Sequence, residues 1–164
     1  MPTPLRIAAE VTVDAAPADT WRAAVDWPRQ REWIWGTRVS GGHGTGAEVT
    51  GRTGIGPIGF TDHMVITEWD PPRRCVLKHT GRVVRGRGIF EVSPHGPGSE
   101  FRWIEYVQLP LPPTMGALAG LVITPIAEWG LRSSLRRFAR LLDSPVPMPQ
   151  DLSLIHISEP TRPY

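Results

Sequence analysis

Glu10 to Ile34, EVTVDAAPADTWRAAVDWPRQREWI, decides the fold, because an alternating strand runs straight into a short helix that carries a tryptophan on its apolar face. Ile7, Ala9, Val11 and Val13 share one side of a period-2 pattern, and Ala8, Glu10, Thr12 and Asp14 share the other, as a half-buried strand requires. Pro17 ends the strand. The Ala-Pro turn or Asp19 starts the helix, with Pro17 suited to its first turn, and Trp21, Ala24 and Val25 follow at i, i+3 and i+4. Pro28 keeps that helix short.

Outward from this stretch, the pattern predicts strands at about Leu5 to Asp14, Thr37 to Ser40, Glu48 to Thr53, Gly59 to Trp69, Arg74 to Thr80, Gly86 to Ser93 and Glu100 to Leu109. GGHGTG, GIGPIG, DPPR and PHGPGS separate several of them, and such tight Gly- and Pro-rich connections suit consecutive antiparallel strands rather than crossovers. The last element reads as a helix from Met115 or Ile123 to Leu142, with Pro125 at its start or at a kink. Ala127, Leu131, Leu135, Phe138 and Leu142 form its apolar stripe, while Arg132, Arg136, Arg137 and Arg140 make a cationic face.

Three stretches together resemble the SRPBCC or START-like superfamily, which includes polyketide cyclases and dehydrases, lipid-transfer domains and the birch-pollen allergen family. They are the opening strand and helix, Ile66 to Gly81 (ITEWDPPRRCVLKHTG) with its Asp-Pro-Pro turn, and the final strand and long helix from Phe101 to Leu142. The resemblance covers residues 5 to 143. It implies an α+β helix-grip fold, in which a curved antiparallel sheet of six or seven strands wraps around a long C-terminal helix and two short helices follow the first strand. It also implies a cavity between sheet and helix that holds a hydrophobic or amphipathic small molecule, lipid-like or polyketide-like. Members share the shape but differ in activity, so cyclase or dehydratase chemistry stands as an alternative to carriage.

Charged residues on apolar strand faces are the sharpest chemical clue. Phe101, Trp103, Glu105, Val107 and Leu109 share one face of the last predicted strand, which aims Glu105 at the interior. Phe60, Asp62, Met64 and Ile66 do the same for Asp62, leaving His63 outward. A carboxylate so placed must be paired, protonated or in contact with water. His79, in line with Cys75 and Leu77, can face the same interior, and Arg82, Arg85 and Arg87 are available as counter-charges. The candidate acid-base groups are therefore Glu105, Asp62 and His79. The candidate ligand-binding residues are Trp33, Trp35, Asp62, His79, Trp103, Glu105 and Leu131, with the tryptophans equally suited to a core. For Glu105 a structural ion pair and a ligand contact are both open.

Composition bounds the rest. The chain has 164 residues, is 40% apolar and carries a net charge of +2, which suits one packed domain and gives no argument for nucleic-acid binding. There is no GxSxG elbow, no phosphate-binding loop and no metal-ligand spacing among the scattered histidines, so no cofactor and no metal is expected. Cys75 stands alone, and no signal-like start or spanning apolar run is present, which predicts a cytoplasmic protein without a membrane span. The Arg-rich helix leaves a third function open, contact with a partner or a membrane surface. Leu152 to Arg162, LSLIHISEPTR, resembles a translated sequencing adaptor and is set aside. The domain is expected over 1–143 and a disordered tail over 144–164.

Overall fold

A computed structural model describes residues 4–108 and 112–144. Seven strands form one antiparallel sheet: β1 (Leu5–Val13), β2 (Thr37–Gly41), β3 (Glu48–Ile55), β4 (Ile58–Asp70), β5 (Arg74–His79), β6 (Arg85–His95) and β7 (Gly98–Gln108). Their order is β1-β7-β6-β5-β4-β3-β2, so six strands meander and the first returns to pair with the last. Helix α1 (Pro17–Ala24) and a 3-10 helix (Trp27–Glu32) follow β1, and α2 (Pro113–Asp143) packs along it. This is the expected helix-grip architecture. Apart from Ser144, the tail expected over 144–164 lies outside the described residues, as does the expected strand end at Leu109.

The local signals explain the elements. Ala16, in extended backbone, caps α1 without a side-chain hydrogen bond, and Pro17 occupies the first turn, where its missing N–H costs nothing. Pro28 acts as a start rather than a stop: α1 ends at Ala24, and Pro28 sits in the first turn of the 3-10 helix. Likewise α2 begins at Pro113, and Pro125 lies inside it.

Period-2 alternation sets the faces. Ile7, Ala9 and Val13 of β1 are buried, as are Cys75, Leu77 and His79 of β5. In β4 a bulge between Ile66 and Glu68 shifts the register by one residue. It keeps Ile66 buried and then turns Trp69 inward onto Trp21, at 5.1 Å between ring centroids, while Glu68 is left at the surface.

The main core is aromatic. Trp33, 2% exposed, meets Phe101, Trp103 and Phe138 edge-on at 6.1, 5.8 and 5.0 Å. Leu135, Phe138 and Ala139 bring the second half of α2 onto this cluster, closing that part of the sheet-helix space. The Thr20 and Ser99 hydroxyls pair at 2.7 Å, and Ser99 donates to the Ala15 carbonyl, which ties α1 to β7. On the opposite face of the sheet Val76, Ile89 and Ile104 form a smaller cluster.

Candidate functional site

A cavity of about 190 Å³ opens beside the aromatic cluster. Its described walls come from the 3-10 helix and from β2 to β7, with Ile34, Val39, Val49, Phe60, Met64 and Phe90 supplying apolar surface. The described lining of this cavity includes no residue of α2, whose Phe138 packs against Trp33 and Phe101 instead.

One end of the cavity is polar. Asp62, His79 and Glu105 come from β4, β5 and β7 and meet there. His79 Nδ1 lies 2.5 Å from Asp62 Oδ2, and its Nε2 lies 3.1 Å from Glu105 Oε2. The Trp103 indole N–H donates to Glu105 Oε1 at 2.6 Å. All three members of the triad are largely shielded from solvent, their side chains being 7% (His79), 12% (Asp62) and 15% (Glu105) exposed.

Strand register makes the meeting possible. Met64 pairs with His79, so Asp62 is its diagonal neighbour on the adjacent strand. Glu105 lies one strand further away, with β6 between. The β6 residue paired with it is Gly88, and a Cβ there would sit 2.8 Å from Glu105 Oε1. Only a residue without a side chain lets the two groups join across the intervening strand.

Burial alone pushes the His79 pKa down, but the hydrogen bonds and negative charges of Asp62 and Glu105 outweigh it and raise the pKa to about 9. At neutral pH the ring is therefore an imidazolium clamped between two carboxylates. The arginines considered as partners for Glu105 are not its counter-charge. Arg87 instead lies 4.8 Å over the Tyr106 ring, and His79 takes the role.

The structure brings together Asp62, His79, Glu105 and Trp103 around the cavity and leaves three candidates outside its described lining. Trp33 belongs to the core. Trp35 is 69% exposed at the surface, with the Arg137 guanidinium 4.6 Å over its ring, and Leu131 is half-buried against the core. His63 is exposed, in keeping with its outward register. Sequence reasoning passed over Gln30, Thr37, Thr53 and Gly88. A glycine on the inward face of a strand, in line with Phe90 and Val92, is a signal that could have found the last.

The triad atoms bond to one another, and among the described residues no set of three His, Cys, Asp or Glu side chains is placed to hold a metal ion. No described helix is long and apolar enough to cross a membrane.

Sheet and helices define a helix-grip α+β fold with a cavity in its wall. The chain belongs to the polyketide cyclase/dehydrase and lipid transport family, which matches residues 4–143. Among curated proteins none matches. The fold is similar to that of TTHA0849 from Thermus thermophilus, with 18% identity, a TM-score of 0.66, and coverage of 84% of this chain and 96% of that one. It is also similar to a polyketide-cyclase-like protein, Cgl2372, from Corynebacterium glutamicum (17% identity, TM-score 0.61, 87% and 93% covered). A third is Ms6760 from Mycobacterium smegmatis, at 18% identity and TM-score 0.62, with 87% and 93% covered.

Proposed function

We propose that this protein binds a small apolar or amphipathic molecule in the cavity lined by Trp103, with the Asp62-His79-Glu105 end orienting it. The observation that carries this is the polar cluster at one end of an otherwise largely apolar cavity, the arrangement that gives a ligand one defined orientation. Family membership points the same way. Thermal unfolding of the purified protein with a panel of single-ring aromatics and short-chain lipids tests it. A true ligand at about 100 times its Kd should stabilise the fold by about 2.7 kcal/mol and quench Trp103 fluorescence. A panel that yields neither effect would end the proposal.

The acid-base alternative is favoured by one observation and narrowed by two. Asp62 Oδ1 is buried and has no hydrogen-bond partner, so it is an acceptor facing no protein donor. Both His79 nitrogens are engaged, and both Glu105 oxygens are as well. In a cyclase- or dehydratase-type reaction the proton acceptor would then be Asp62, with His79 and Glu105 as positioning residues. Asp62→Asn should abolish turnover of a polyketide-like substrate, and retained turnover excludes this role.

A different surface supports contact with an anionic membrane. Leu118, Val122, Ile126 and Trp129 are exposed along one stripe of α2, and Arg132, Arg136 and Arg140 continue the same stripe. Apolar insertion beside guanidinium groups is the pattern of an interfacial helix. Vesicles rich in anionic lipid should pellet the protein at low salt and release it at high salt. Pelleting that is absent, or equal with zwitterionic vesicles, rejects the surface.

A further inference from the structure

The hydrogen-bond inventory of the cavity wall is one-sided. Trp27 donates its indole N–H to the Gly42 carbonyl at 2.8 Å, and Gln30 donates from Nε2 to the Ala24 carbonyl at 2.8 Å. Trp103 donates to Glu105, and His79 gives both ring protons to carboxylates. The Thr37 and Thr53 hydroxyls pair with each other at 3.0 Å. Each described lining side chain that carries an N–H is thus already donating within the protein. Among the sealed side-chain atoms of the described residues, the one without a partner is an acceptor, Asp62 Oδ1. Gly81 stands beside it without a side chain, where a Cβ would come within 3.2 Å of the oxygen.

Charge leans the same way. Two carboxylates against one imidazolium leave one net negative charge at the polar end, in a wall whose described residues include no Lys or Arg. An anionic guest would meet repulsion there; a guest with an O–H or N–H would complete the carboxylate. The volume limits its size. Cavities of about 150 Å³ accept one aromatic ring, and this one, at about 190 Å³, has room for a ring with a short substituent.

We infer that the cavity selects guests that present a hydrogen-bond donor, a hydroxyl or an ammonium group, to the Asp62 carboxylate and rejects carboxylates of the same skeleton. This rests on the binding function proposed above and names the chemistry of the ligand's polar end. Toluene, benzyl alcohol, benzylamine and benzoate share one ring and differ only at the substituent, so their affinities for the full-length protein, measured by ligand-observed NMR or calorimetry, isolate that choice. Benzyl alcohol and benzylamine should each bind at least about tenfold more tightly than toluene, the scale of one charge-assisted hydrogen bond, with benzoate weakest. Asp62→Asn should erase that advantage, so that benzyl alcohol binds no more tightly than toluene.

The wild-type ranking stands by itself if the variant fails to fold. Equal affinity for toluene and benzyl alcohol would overturn the donor selection while leaving an apolar binding cavity intact. Benzoate binding as tightly as benzylamine would do the same. Saturable binding of none of the four would overturn both the selection and the binding function.

Discussion

Replacing His79 with glutamine should change how stability depends on pH. In the unfolded chain the imidazole has its ordinary pKa of 6.5, and in the fold Asp62 and Glu105 raise it to about 9. The folded state therefore binds the proton more tightly. Its contribution is fully present below about pH 6.5 and is lost as pH rises through about 9. The gap corresponds to about 3 kcal/mol, and the 7% exposure of the side chain leaves little solvent to screen it. That is a large share of the roughly 5–15 kcal/mol that holds a domain together.

The assay is denaturant unfolding of wild type and His79→Gln from about pH 6 to about pH 10, read as the difference between the two curves. The difference matters because Cys75 also titrates. Its thiol is pushed up to about 12 by burial and then by the nearby Glu68 charge, so it destabilises both proteins alike above about pH 9. The wild-type advantage should be largest at low pH and shrink by about 3 kcal/mol across the range. A histidine ring signal titrating near 9 in wild type should be missing from the variant. Parallel stability curves, or a His79 ring titrating near 6.5, would refute the clamped imidazolium.

Three further outcomes follow from the packing. Trp33→Ala should cost about 3–5 kcal/mol in chemical denaturation, because the ring is buried among Phe101, Trp103 and Phe138; a loss under about 1 kcal/mol would mean that the cluster is not the core. Gly88→Ala places a methyl group where the Glu105 carboxylate lies, so His79 should lose one partner and titrate lower than in wild type by NMR; an unchanged titration would contradict the contact. Cys75, fully buried, should resist thiol reagents at about pH 8 until the protein unfolds, and rapid labelling of the native state would show that the strand opens.

Much of the fold was legible because backbone periodicity is local. The alternation in β1 and the spacing of Trp21, Ala24 and Val25 need only neighbouring residues to be read. The bulge at Thr67 was not legible in this way. The Phe60-Asp62-Met64-Ile66 face extends by simple alternation to Glu68, whereas the structure buries Trp69 against Trp21, and only the tertiary partner favours the shift. For the tryptophans, composition could not separate core from surface. Trp33 and Trp35 are two residues apart, yet one is 2% and the other 69% exposed.

The sequence by itself determined that Asp62 and Glu105 face inward and that His79 can, because a residue's side of a strand follows from its place in a period-2 pattern. Only the tertiary structure decided that they face one another. That outcome depends on strand order and register, on Met64 pairing with His79 and Gly88 with Glu105, and on the missing side chain at Gly88. The same assembly leaves Asp62 Oδ1 as the unspent acceptor, a property of pairwise distances that no single strand contains.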